Sequence, residues 1–280
     1  MSLIGTIASL QTHPVKSMQG YSSDVVRVTT RGVEHDRALA LIDQATGKVV
    51  SAKLPHRWGK MLECSARVSQ DRIVIALPDG RELAADDDSA ESALSELFGR
   101  RVRVRTWTAP GLELDRESDI HDDGAETTDQ SIESLVIGQG APFGGFFDFA
   151  PVHLISSASL AAVSCDQDAE AADPRRFRAN IVIASSGSAF EENDWAGSRL
   201  AIGNNLVVEG IVATPRCAVP TLAQPGLSSK PRLTNAIGKI NRLPIFDMGD
   251  LPCLGVYAAV IHEGTVRIGR SEERRVGTEC

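Results

Sequence analysis

Short runs of β-branched and apolar residues, each cut off by Gly, Pro, Asp or Asn, recur along this chain and constrain it to a strand-rich fold. The clearest is Leu206-Val207-Val208-Glu209-Gly210-Ile211-Val212, which leads straight into Thr214-Pro215-Arg216-Cys217. Pro215 lacks a backbone donor and biases Thr214 away from helix, so the strand is expected to end there. Pro220 restrains the exit in the same way. One thiol, that of Cys217, is thus presented on a stiff loop beside the permanent charge of Arg216. A neighbouring cation favours thiolate, the form that ligates metals or attacks electrophiles. A lone cysteine is also commonly a small buried hydrophobe, so this stretch needs support from elsewhere.

The first hundred residues read mainly as β. Ile4, Thr6, Ala8 and Leu10 alternate with their neighbours until His13-Pro14-Val15-Lys16-Ser17 turns the chain. Strands are expected over 24–29 and 38–42, with Asp43-Gln44-Ala45-Thr46-Gly47 turning into a further strand over 48–52. Pro78-Asp79-Gly80 joins strands over 72–77 and 81–84. One helix is expected. Asp86-Asp87-Asp88-Ser89 offers caps and negative charge, Ala90, Ala93, Leu94, Leu97 and Phe98 keep helical spacing, and Gly99 ends it. A strand over 101–107 follows.

Residues 111–134 are acidic and aperiodic and read as a connector over solvated surface. Gly138-Gln139-Gly140-Ala141-Pro142-Phe143-Gly144-Gly145 lacks the spacing of a phosphate loop. Beyond Phe146 the pattern predicts strands over 151–156, 181–184, 199–202, 206–212, 255–261 and 265–268, with a short helix over 157–163 and an irregular region over 225–252. Residues 271–280 are polar and aperiodic, and read as an appended tail that is disordered or foreign to the natural protein.

At 280 residues, one large or two medium domains are expected. A net charge of −8 argues against nucleic acid or an anionic membrane as partner. No apolar run approaches the ~20 residues of a membrane span. The first residues enter a strand pattern at once, leaving no room for a signal peptide. The five cysteines are scattered, with no CxxC pair, so neither a zinc ribbon, an iron–sulfur cluster nor a disulfide framework is indicated. A cytoplasmic location is the expectation.

Against this acidic background, cations and hydroxyls recur at strand ends and turns: Lys16 and Ser17, Arg37, Ser156 and Ser157, Arg178 and Asn180, and Arg216 beside Cys217. Singly, each reads as a surface charge, a cap or an ion pair. Together they point to an anionic ligand, for which Arg offers a bidentate fork and Lys a point charge.

In order and spacing these stretches resemble a known family. His13-Pro14-Val15-Lys16-Ser17, Arg31-Gly32-Val33-Glu34-His35-Asp36-Arg37 and Ser51-Ala52-Lys53 are similar to the β-barrel domain that precedes MOSC domains. Asp148-Phe149-Ala150-Pro151-Val152-His153-Leu154-Ile155-Ser156, Arg176-Phe177-Arg178-Ala179-Asn180-Ile181, Asp194-Trp195, Pro215-Arg216-Cys217 and Gly264-Thr265-Val266-Arg267-Ile268-Gly269 resemble the MOSC domain itself. That domain is named for the C-terminus of molybdenum cofactor sulfurase. The family includes the amidoxime-reducing components of mitochondria and their bacterial counterparts.

The resemblance implies a β-rich (α+β) fold. An N-terminal MOSC-associated β-barrel domain over 1–110 and a connector over 111–145 would precede a MOSC domain over 146–270 with a few short helices. It implies a molybdenum cofactor (molybdenum held by molybdopterin) between the domains. Cys217 would be metal ligand and catalytic residue, with Lys16, Ser17, Arg37, Ser156, Arg178, Asn180 and Arg216 holding the pterin and its phosphate. The implied activity is reduction of N-hydroxylated or N-oxide small molecules, with electrons from a separate flavin or iron–sulfur reductase. A cofactor carrier or store, a sulfur carrier on Cys217, or a scaffold that has lost the cofactor are the competing readings. Two departures bear on the substrate rather than the cofactor. Pro215 stands where relatives carry a second Cys or Ser, and Val219-Pro220-Thr221-Leu222-Ala223-Gln224-Pro225 replaces a pair of threonines and Asp-Pro.

Overall fold

A computed structural model of the chain describes residues 2–106, 111–117, 132–164, 168–269 and 272–276. The first part runs β1 (Ser2–Thr12), β2 (Tyr21–Ser22), β3 (Val25–Thr29), β4 (Gly32–Val33), β5 (Leu39–Asp43), α1 (Pro55–Trp58), β6 (Ser65–Ser69), β7 (Arg72–Ala76), β8 (Glu82–Ala84), α2 (Asp88–Phe98), β9 (Val102–Thr106), β10 (Glu113–Glu117) and β11 (Ile132–Val136). The second runs β12 (Val152–Ser156), α3 (Ser157–Val163), α4 (Pro174–Phe177), β13 (Ile181–Ser185), β14 (Arg199–Ile202), β15 (Leu206–Pro215), α5 (Leu233–Ile240), β16 (Arg242–Pro244), β17 (Asp250–His262), β18 (Gly264–Arg267) and β19 (Glu272–Val276). The fold is β-rich, as the punctuation of the sequence requires. Among the described residues no helix is long and apolar enough to cross a membrane.

The largest sheet closes on itself. Its pairings run β12-β13-β1-β19-β14-β15-β17, and β12 pairs β17 to complete the circuit. Closure leaves these strands no open edge along the circuit and turns one face inward. Ile7, Leu154, Ile183, Leu200, Val208 and Val256 fill that interior, with Val26, Val28 and Val266 from β3 and β18 packed onto it. A second core lies among the earlier elements and gathers Val15, Met18, Leu41, Trp58, Leu62, Ile75, Leu94 and Val102. β1 therefore belongs to the closed circuit although it opens the chain: Ile7 pairs with Ile183 and Leu10 with Ile181.

Several expectations need correction. The stretch 48–52 is not a strand; Val49 makes isolated bridges to Ile42 and Leu114. Parts of the acidic connector form the hairpin β10–β11, paired from Glu113↔Val136 to Glu117↔Ile132. Only Leu114 of β10 is buried, while Arg116 pairs with Glu133 and Lys48 with Asp115 across the surface, so no apolar period marks it. Residues 118–131 lie outside the described residues. The tail contains β19, which inserts between β1 and β14 through backbone pairing that needs no apolar period. Helix α2 ends at Gly99 with φ +61, as expected, but Asp87 makes no side-chain cap. Asp86 and Asp87 turn instead to Arg72.

Candidate functional site

The strand β15 ends at Pro215, in register with Cys253 of β17. The Arg216 amide then donates to the Pro252 carbonyl at 2.8 Å, and Cys217 leaves the sheet. The loop is anchored on both sides. Val219 is buried in the core of the early elements, against which Cys217 also packs. The Cys217 carbonyl accepts from Thr234 Oγ1 of α5 at 3.1 Å. Behind the loop lies Arg176, wholly buried. Its guanidinium donates to the carbonyls of Glu170 (2.6 Å), Pro220 (3.1 Å), Leu222 (3.3 Å) and Ser228 (2.6 Å). The Cys217 loop is thus clamped by an arginine whose donors end on backbone oxygens.

A cavity opens in front of this loop. Its wall holds Lys16, Ser17, Arg37, Arg178, Asn180, Arg216 and Cys217 together. Residues from the two ends of the sequence reading meet here. Ser156 does not line the cavity. It is fully buried and caps α3, accepting from the Ser159 amide at 3.1 Å and donating to Glu192 at 2.8 Å.

The wall also holds residues that the sequence reading left out of the site: Lys53, Asp148, His153 and Tyr257. Asp148 accepts from Lys16 Nζ at 2.7 Å and sits 3.1 Å from Lys53 Nζ. Desolvation works against its carboxylate, but the two ammonium groups hold it well below the usual range. Burial brings Lys16 down to about 8 although Asp148 pulls the other way. For Lys53, burial is outweighed by Asp148, Cys217 and Tyr257, and the ammonium is strengthened. Burial, with Asp148 nearby, pushes the Tyr257 hydroxyl up to about 12, so it stays a phenol. Lys53 and Asp148 fall inside the quoted stretches Ser51-Ala52-Lys53 and Asp148-Phe149-Ala150-Pro151, so the signal for them was present.

Three of the gathered side chains stand on left-handed backbone: Ser17 (φ +67), Arg37 (φ +48) and Arg178 (φ +56). Such conformations are costly for non-glycine residues and cluster where surrounding structure fixes a functional geometry. Arg178 caps the C-terminal end of the short helix α4. Arg37 pairs with buried Asp36 and donates to the Arg178 carbonyl at 3.0 Å. Arg178 Nη1 donates to the Met18 carbonyl at 2.6 Å, while its Nη2 is buried without a partner. Arg216 donates to the carbonyls of Leu254 (3.1 Å) and Phe177 (3.2 Å), leaving Nε buried and unpaired. Burial, with Arg37 beside it, works against the Arg178 charge. An anion in the cavity would relieve that cost and satisfy the orphaned N–H groups.

Ser17 and Asn180 have structural partners as well. Ser17 Oγ accepts from the Ala52 amide at 3.1 Å, and Asn180 Oδ1 accepts from the His153 amide at 3.1 Å. The cavity wall holds six cations, namely Lys16, Lys53, Arg37, Arg176, Arg178 and Arg216, against the single carboxylate of Asp148. In a chain of net charge −8 that is a local inversion of sign. It suits a ligand with a phosphate-like group. The glycine-rich stretch serves packing here. A Cβ on Gly145 would lie 2.1 Å from the Phe147 ring, and one on Gly140 would lie 2.7 Å from the Phe149 ring.

Two buried histidines make the fold acid-sensitive. Burial, then Arg178 and Arg37, lowers His13 to about 3; burial, then Arg216 and Arg37, lowers His153 well below its ordinary value. A depressed histidine stabilises fully above its unfolded value near 6.5 and loses that contribution as pH falls toward the folded value. Each such histidine costs about 1.4 kcal/mol per pH unit in that window. Urea unfolding is therefore expected to shift to lower midpoints between about pH 7.5 and pH 5.5. A flat profile over that window would show that the histidines are protonated in the folded protein.

Comparison with known proteins adds the following. The MOSC N-terminal beta barrel domain matches residues 4–124 and the MOSC domain matches residues 144–271. The chain is similar to mitochondrial amidoxime reducing component 2 of Bos taurus, 25% identical over 236 residues, covering 78% of this chain and 67% of the relative. It is similar to mitochondrial amidoxime-reducing component 1 of Mus musculus, 22% identical over 292 residues, covering 95% and 81%. Among solved structures, the YuaD protein of Bacillus subtilis aligns with a TM-score of 0.44 at 11% identity, covering 98% of this chain and 97% of that one.

Proposed function

Because this chain belongs to the MOSC domain proteins, with a MOSC N-terminal β-barrel domain ahead of the MOSC domain itself, we propose that its cavity holds a molybdenum cofactor and serves reduction of N-hydroxylated or N-oxide compounds. The observation that carries this reading is the convergence of Cys217 with a cationic wall containing orphaned guanidinium N–H groups. The residues fit the group. A soft thiolate suits molybdenum, and Lys16, Arg37, Arg178 and Arg216 suit a phosphate-bearing pterin. When bound, the cofactor would supply the two-electron chemistry by which an N–O bond is broken with two protons, leaving amine and water.

The chain's own residues have separate tasks in this reading. Cys217 offers the metal ligand at the end of a strand, on a loop held by Arg176 and Thr234. Arg37, Arg178 and Arg216 hold the anionic part, their forks already oriented by backbone carbonyls. The Lys16–Asp148–Lys53 cluster keeps charge in the wall. Electrons would come from a separate reductase, as the resemblance to the amidoxime-reducing components implies. Protein purified from cells that make the cofactor is expected to contain close to one molybdenum, with pterin, per chain. Zinc alone, or no metal, under those conditions would remove the cofactor reading. Stoichiometric cofactor without reduction of any N-hydroxylated compound would favour a carrier instead.

A further inference from the structure

A row of aromatic rings leads outward from the cavity wall. His153 and Tyr257, both in the wall, lie 5.5 Å apart by ring centroid. Tyr257 contacts Phe149 at 5.8 Å, and Phe149 contacts Phe246 at 5.5 Å. Phe149 is flanked by Asp148 and Ala150, which also line the cavity. The row ends on Phe246, which is 64% exposed. Phe246 stands in the turn between β16 and β17, where the Ile245 amide donates to the Gly249 carbonyl at 3.0 Å.

Two features set Phe246 apart from an ordinary surface residue. Its φ is +47, a region costly for a bulky side chain and free for glycine. Its ring leaves most of its surface in water, so burial does not offset that cost. Strain held at an exposed aromatic whose ring contacts run through Phe149 to Tyr257 of the cavity wall is the pattern of a binding residue. The only other exposed apolar side chain of the same turn is Met248, a patch far below the ~800 Å² per partner of a stable protein interface.

We propose that Phe246, backed by Phe149, holds a flat apolar group of the substrate at the cavity mouth, so that the chain prefers N-oxygenated compounds whose nitrogen is borne on an aromatic frame. The inference rests on the reading that the cavity works on such compounds. The charged wall takes the polar N–O end, and the rings take the remainder by offset stacking.

The test uses the cofactor-loaded protein, with benzamidoxime and acetamidoxime as an aryl and an alkyl probe. Binding is measured by calorimetry, and turnover with reduced methyl viologen as electron source. Phe246→Gly suits the backbone of the turn, so the fold should be kept. It is expected to weaken benzamidoxime binding by about ten-fold while leaving acetamidoxime within about two-fold, and Phe246→Trp is expected to restore the preference. An unchanged preference, or equal loss for both probes, overturns the proposal. Failure of the wild type to turn over either probe, with the binding preference intact, supports the aromatic rim and removes the reductase reading instead.

Discussion

Serine in place of Cys217 is expected to leave a folded protein that has lost turnover. The two side chains are close in size, and the loop keeps its anchors through Val219, Arg176 and Thr234. A hydroxyl stays protonated at neutral pH and is a poor ligand for a soft-binding metal centre. The pterin contacts proposed for Lys16, Arg37 and Arg178 would remain, so part of the cofactor should stay. Loss of groups that merely orient a metal's ligands typically costs 10–100-fold, so removing the ligand itself should cost at least ~100-fold in reductase rate. Cys64 and Cys253 are the controls. Burial pushes their thiols up to about 12 and about 11, and each is packed against a carbonyl, of Lys60 and Leu251 respectively. Their serine variants should turn over normally. Near-normal rates from Cys217→Ser with molybdenum bound would show that the thiolate is not the working ligand.

Arg176→Met is expected to destabilise the protein more than any change to the cavity's exposed charges. Methionine fills a similar volume but leaves the Pro220 carbonyl without its donor in a buried place, and those of Glu170, Leu222 and Ser228 without theirs in partly buried ones. Each buried group left unpaired costs about 1–3 kcal/mol. Arg176→Lys keeps a point charge but cannot span the same oxygens, so it should recover only part of the loss. Denaturant unfolding measures the first effect. Cofactor retention measures the second, because two of the freed carbonyls, those of Pro220 and Leu222, belong to the loop that carries Cys217. A variant as stable as wild type would show that water or a shifted loop replaces the guanidinium.

Much of this architecture was legible where side chains alternate. The strand over 199–202 and the helix over 157–163 fall where period and capping put them. Gly99 ends α2 as its αL backbone requires. Elements built on few apolar residues were not legible. Helix α4 is four residues long and is capped by Asp173, too short to show a period. Helix α5 lies in a stretch crowded with Pro and Gly, and only its face bearing Leu233 and Ile237 is buried. The cations and the thiol that line the candidate cavity were legible because charge at strand ends is visible in a sequence. Ser156 was misplaced because a serine before a helix caps it as readily as it binds a ligand. Lys53 and Asp148 went unassigned because their significance is mutual: each matters through the other and through Lys16, a juxtaposition that only the fold creates.

The sharing of β1 with the closed circuit has a consequence for biosynthesis. As the chain emerges, residues 5–10 of β1 wait for β13 to be made, and β3 pairs with β4 at once while its other edge waits for β18, Val26 pairing with Val266. Contacts so distant in sequence form late and slowly. Lys16, Ser17 and Arg37 are made early, but Cys217 and Tyr257 arrive only with the last third of the chain. The pocket they build together cannot exist on a nascent polypeptide. Any cofactor must be handed to a chain already made past Tyr257, and until then the early strands present an unpaired edge, a template for wrong pairing.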